Sequence, residues 1–121
     1  MANELTVSAS LAFSKGGITA GLSKNGLQIT ITGTKKLENV QNIGTSEEAL
    51  QLGDLGSSAD CWLLIINRDA TNYVSLRRAT GEGNMTKLKA GEMALMRLEA
   101  AAPYAIANTG ACNVEYVLIE A

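Results

Sequence analysis

The residues able to do chemistry are few, and their spacing suits it poorly. Histidine is absent, which removes the commonest general base, the commonest metal ligand and every Ser-His or Cys-His arrangement. Glu47-Glu48 is the one adjacent acidic pair. Neighbours on a strand point to opposite faces, so these two carboxylates cannot act together and should form a solvated edge. Asp69 and Asn72 could offer oxygens to calcium, but that ion takes about six to eight oxygen ligands, and the pair fits turn chemistry better. Gly81-Glu82-Gly83 lacks the third glycine and the following helix of a dinucleotide fingerprint, so it reads as a flexible loop. Cys61 and Cys112 are too few for a zinc site. A bridge between them is geometrically conceivable, because each precedes an apolar strand-like run. Reduced thiols are the expectation, since disulfide-dependent folds are smaller and richer in cysteine. No catalytic, cofactor-binding or metal-binding residue is assigned, and a non-enzymatic protein is expected.

The remaining singular residues also favour structural roles. Trp62, the sole tryptophan, heads the most apolar run and should lie in the core or at a subunit interface. A sugar-binding surface would call for several aromatic platforms. Asn84-Met85-Thr86 matches a glycosylation sequon, without a secretory signal to give it meaning. Lys89-Ala90-Gly91-Glu92 resembles a turn of cupin jelly rolls, whose enzymes mount their metal on histidines. The turn is therefore read as structural. Basic residues cluster only as the pairs Lys35-Lys36 and Arg77-Arg78. Neither forms the stripe that nucleic acid requires, so no nucleic-acid partner is expected.

The elements that position these residues follow from length and pattern. The chain has 121 residues, of which 46% are hydrophobic and 18% charged, with a net charge of -2. That composition makes a folded chain, and its length suits one domain over residues 1–121 with an aliphatic core. Met1 to Ser10 has neither a basic start nor an apolar block, so synthesis in the cytoplasm is expected. The longest apolar run, Trp62 to Ile66, is too short to cross a bilayer.

Period-two alternation marks the strands. Leu5, Val7, Ala9, Leu11 and Phe13 alternate with polar or small residues, and Leu27, Ile29 and Ile31 alternate with Gln28, Thr30 and Thr32. Asn25-Gly26 is a strong turn dipeptide. Residues 46–52 fit either a short helix capped at Thr45 or, preferably, extended structure over 48–52. Residues 62–67, apolar throughout 62–66, should form a central strand buried on both faces. Further strands are expected at 73–77, 86–89, 92–98, 103–107 and 113–120. Eight or nine short strands without helical periodicity predict an all-β antiparallel fold, a sandwich, jelly roll or small barrel, with a sandwich or jelly roll preferred. Met1-Ala2-Asn3-Glu4 reads as an arm that orders on assembly. Few edge charges occur around 5–13 and 27–32, so neighbours are expected there.

Four segments carry a resemblance. Asn67-Arg68-Asp69-Ala70-Thr71-Asn72-Tyr73-Val74 leads to Leu88-Lys89-Ala90-Gly91-Glu92-Met93-Ala94-Leu95. Pro103 to Asn108 and Glu115 to Glu120 complete the series. Over residues 40–121 the chain resembles the small β-rich structural proteins of tailed bacteriophages, most of all capsid decoration or cement proteins. The resemblance implies a virion component on the capsid surface, made in the host cytoplasm. Its implied partners are the major capsid protein and further copies of itself, as a homotrimer. Two other classes stay open: a tail or baseplate component that binds a receptor, and a cellular ligand-binding sandwich.

Overall fold

A computed structural model describes residues 3–56, 59–99 and 102–121. Among them are ten strands and no helix. All strand pairings are antiparallel, so the protein is all-β, as its alternation predicts. The chain forms two compact units, Met1–Thr32 and Gly33–Ala121.

The first unit is a hairpin of β1 (Leu5–Lys15) and β2 (Ile18–Ile29). Its turn lies at Gly16-Gly17, where φ values of +58° and +82° suit residues without a Cβ. The turn expected at Asn25-Gly26 does not form. Those residues sit inside β2, where Val7 faces Leu27 and Ala9 faces Lys24, so β2 spends one extra residue opposite Ser8. This is a β-bulge. Gly26 takes φ +67° there, and its N–H donates to Ser8 Oγ at 2.9 Å. The apolar residues of β2 change parity along the chain, from Ile18, Ala20 and Leu22 to Leu27 and Ile29. The bulge absorbs that change and returns both sets to one face. Of the expected arm, Met1 and Ala2 lie outside the described residues. Glu4 is tied to the end of the hairpin, its Oε1 accepting the Ile31 N–H at 3.0 Å.

The second unit contains β3 (Lys36–Ile43), β4 (Glu48–Ala49), β5 (Cys61–Asn67), β6 (Val74–Arg77), β7 (Asn84–Leu88), β8 (Met93–Leu98), β9 (Tyr104–Ala107) and β10 (Cys112–Glu120). They make two four-stranded sheets, ordered β3-β10-β5-β8 and β4-β9-β6-β7. Each sheet has one face in a shared core. Ile43, Leu63, Ile65, Val114, Tyr116 and Leu118 enter from the first sheet, and Val74, Leu76, Leu88 and Ala105 from the second. Leu50, on the segment beside β4, joins them.

β5 corrects one expectation. It is central in its sheet, between β10 and β8, yet it is buried on one face only. Leu63 and Ile65 are enclosed, Trp62 and Ile66 are half-buried, and Leu64 is exposed. A continuous apolar run signals burial on both faces only when a second layer covers each. Here the outer face stays open at Leu64.

Residues 46–52 form no helix. Glu48–Ala49 pairs with β9, and beyond it the backbone is held by polar contacts. The Leu50 N–H donates to Pro103 O at 3.0 Å, and the Gln51 N–H donates to Gln41 Oε1 at 3.0 Å. Gln41 Nε2 donates in turn to Ala49 O at 3.0 Å and to Glu48 Oε1 at 3.1 Å. The Tyr116 hydroxyl closes this cluster, 2.9 Å from Gln41 Oε1 and 2.8 Å from Gln51 O. Burial pushes its ionisation above the ordinary value, against the pull of hydrogen bonds with Asn39 and Gln51.

Candidate functional site

The groups with chemical potential are spent on holding loops. Glu47 is not a solvated edge: its side chain is 19% exposed and meets Arg77 Nη1 at 2.6 Å. It also accepts from Thr80 Oγ1 at 2.6 Å and from the Gly81 N–H at 3.1 Å. The hydrogen bonds from Thr80 and Arg77 hold its carboxyl below its ordinary 4.5, against a smaller effect of burial. Glu48 turns elsewhere, to the Gly44 N–H at 3.0 Å and to Gln41. The two carboxylates thus serve different partners, although only Glu48 lies on a strand. The loop between β6 and β7 containing Gly81-Glu82-Gly83 is fastened to Glu47. Its backbone N–H and Arg77 already hold an anion, which is the chain's own carboxylate.

This has a consequence for acid stability. A carboxyl whose folded value lies below its unfolded one adds stability above the unfolded value, and loses it as pH falls through the folded one. The parent protein should therefore lose thermal stability progressively below about pH 4.5. Glu47→Gln should melt lower than the parent at pH 7 and show a shallower decline into acid. Melting temperatures at pH 7, 5 and 3 check this, and equal slopes for the two proteins would refute the assignment to Glu47.

Asp69 is a turn residue. Its Oδ2 accepts the Asn72 N–H at 2.6 Å and the Thr71 N–H at 3.0 Å, and these two bonds hold its carboxyl below the usual value. Asn72 Oδ1 accepts from Thr109 Oγ1 at 3.1 Å. Among the described residues, no group of three or more Cys, Asp or Glu side chains could hold a metal ion. Three of the four residues of the basic pairs meet carboxylates of the same chain. Lys36 meets Glu38 at 2.7 Å, Arg77 meets Glu47, and Arg78 meets Glu82 at 3.0 Å. Asn84, in the sequon, accepts from Arg77 Nε at 2.8 Å.

The cysteines lie at opposite ends of neighbouring strands. Cys61 faces Glu120, while Cys112 begins β10 near the far end of β5. The separation along β10 is on the order of 27 Å, against a limit of about 7 Å between the Cα atoms of a disulfide. The bridge that the sequence left conceivable is excluded within one chain. Burial raises both thiols above their ordinary value, with Asp60 adding to the effect at Cys61 and Asp69 at Cys112. Both should resist alkylation in the native protein and label fully on denaturation without reductant. A linked Cys61–Cys112 peptide in mass spectrometry would overturn this.

One residue that the sequence did not single out is the most fully engaged. Asn67 is fully buried at the end of β5. Its Nδ2 donates to Leu88 O and to Asn72 O, each at 3.0 Å, and its Oδ1 accepts the Asp69 N–H at 2.9 Å. Its backbone accepts the Gly91 N–H at 3.0 Å and donates to Glu92 O at 2.9 Å. Asn67 thereby anchors the Lys89–Glu92 turn, which carries the chain from one sheet to the other. A polar residue ending an apolar run was the available signal.

What remains open is apolar surface. On the outer face of the β3-β10-β5-β8 sheet, Val117, Leu64 and Leu95 stand in one row, and Glu115, Ile66 and Met93 in the next. Met93 and Leu95 are exposed, as is Val40 at the same level on β3. Trp62 lies on this face beside Ile119, half-buried, with its Nε1 buried and without a hydrogen-bond partner. Trp62 thus stands outside the buried core cluster. In the hairpin, Leu11, Phe13, Ile18, Leu22 and Leu27 are exposed. A cleft of about 350 Å³ is lined by Met85, Met96, Leu98 and Pro103 together with Arg78, Arg97 and Glu99, a set without a nucleophilic side chain. No protein-family model, curated protein or solved structure matches this chain.

Proposed function

We propose that this chain is a non-enzymatic structural protein of a bacteriophage virion, a capsid decoration or cement protein that binds the assembled head as a homotrimer. In this reading the two sheets of the second unit close as a β-sandwich of jelly-roll type, and the major capsid protein is the partner. The observation that carries the proposal is the contrast between spent polar groups and open apolar strands. Glu47, Glu48 and Asp69 hold loops and turns, and Lys36, Arg77 and Arg78 each meet a carboxylate of the same chain. The large side chains left in water are apolar and lie on β-strands. Such a surface suits a protein that works by shape, copy number and many weak contacts, which multivalency turns into firm attachment. Trimers also fit the local threefold positions of an icosahedral shell. The phage assignment itself rests on the resemblance over residues 40–121.

The test is purification of particles followed by cryo-electron microscopy. Density for this chain on heads, in stoichiometric ratio to the capsid protein, is the expected result. Density in tails alone would replace the reading with a tail or baseplate component.

A further inference from the structure

We infer that the apolar face of the hairpin is the surface through which three copies of this chain join, hairpin to hairpin. The inference deepens the proposed function, resting on its oligomeric reading, and names the contact that builds the oligomer.

The face follows from the register. Residues directly opposite in an antiparallel pair share a face. Leu5 faces Ile29, Val7 faces Leu27, Leu11 faces Leu22, Phe13 faces Ala20 and Lys15 faces Ile18. All these side chains therefore stand on one side. The other side carries Thr6 with Gln28, Ser10 with Ser23, and Ser14 with Thr19. The hairpin is amphipathic along its whole length, with the only charges of the apolar face at Lys15 and Lys24. The bulge at Asn25-Gly26 strengthens the point. It gives up regular pairing and keeps the apolar ladder continuous across a change of parity. That arrangement is useful only if the ladder is covered.

The ladder is uncovered in a single chain. Leu11 is 71% exposed, Leu22 79%, Ile18 67% and Phe13 49%. A two-stranded hairpin in water is marginal unless a further layer covers its apolar face. The open strand edges, more than area, decide how many copies are needed. With Leu27, at 37% exposure, these side chains leave roughly 550 Å² per hairpin, at the upper end of the patches that monomers tolerate. Two faces packed together would bury roughly 1,100 Å², near the lower end of specific interfaces, and a ring of three would bury roughly 1,600 Å² in total, shared among its three contacts. Threefold closure also treats the edges. β1 and β2 pair only with each other, so each has one bare edge. In a ring of three parallel hairpins, β2 of one copy runs antiparallel beside β1 of the next, and no edge is left open. Lys24 stands opposite Ala9, the smallest apolar residue of its strand's ladder, and a lysine stem can carry its ammonium group out of such a contact.

The experiment uses the full chain at about 10 µM, a concentration typical of sedimentation work on specific oligomers. Sedimentation equilibrium should give three times the chain mass of 12.7 kDa. The double variant Leu11→Glu with Leu22→Glu should sediment as a monomer, because six carboxylates would meet in the ring. Its Trp62 fluorescence and the melting of the two-sheet unit should match the parent. The control Ser10→Glu with Ser23→Glu, on the polar side, should remain trimeric. A monomeric parent would overturn the inference, as would a trimeric Leu11/Leu22 variant or a monomeric control. A parent that stays monomeric and instead binds vesicles of anionic phospholipid would assign the face to a lipid surface. The proposed function fails separately: a trimer that forms as described but is absent from heads leaves this inference standing and removes the capsid reading.

Discussion

Ile65→Asp should destabilise the two-sheet unit by about 4 kcal/mol or more, the range for burying an unpaired charge in a core. Ile65 is fully buried on the inner face of β5. It stands opposite Tyr116 on β10 and Ala94 on β8, so no cation comes with either partner. The new carboxylate would either ionise without a partner or stay protonated at a cost in pKa; both lower stability. Against a total of about 5–15 kcal/mol for an ordinary domain, the variant should be largely unfolded or melt tens of degrees lower. Denaturant unfolding followed by Trp62 fluorescence measures it. A denaturant midpoint equal to the parent's, or a melting temperature within a few degrees of it, would contradict the placement of Ile65. Leu64→Asp is the internal contrast. Leu64 is the next residue but faces outward and is exposed, so its cost should stay within about 1 kcal/mol, as for surface substitutions.

Asn67→Ala should cost about 3 kcal/mol or more, although the side chain removed is small and polar. Its amide satisfies two carbonyls and one backbone N–H. Truncation strands these groups in a fully buried site, and each unsatisfied group costs about 1–3 kcal/mol. Asn67→Asp tests the donors separately. It keeps an acceptor for the Asp69 N–H but faces Leu88 O and Asn72 O without a hydrogen to offer. Both variants should loosen the Lys89–Glu92 turn, and hydrogen exchange at the Gly91 and Glu92 amides should accelerate more than exchange in β10. Uniform acceleration across the unit would show that Asn67 acts on global stability alone.

Alternation of apolar and polar residues was enough to determine an all-β chain, because a period of two is compatible with a half-buried strand and not with a helix. It also placed nearly every strand of the two-sheet unit within a few residues. Local chemistry was legible in the same way: Asp69 to Asn72 reads as a turn, and a turn forms, since its bonds lie within four residues of chain. Three features depended on partners distant in sequence, and only the tertiary structure decided them. Asn25-Gly26 has the dihedral preferences of a hairpin turn and of a bulge alike; pairing with β1, which sets the register, makes it a bulge. The run Trp62 to Ile66 states that its residues are apolar, not how many layers will cover them, and only one face found a covering sheet. Glu47 looked solvated because the sequence shows its neighbour Glu48 but not Arg77 and Thr80, thirty or more residues away, which the fold brings to its carboxylate.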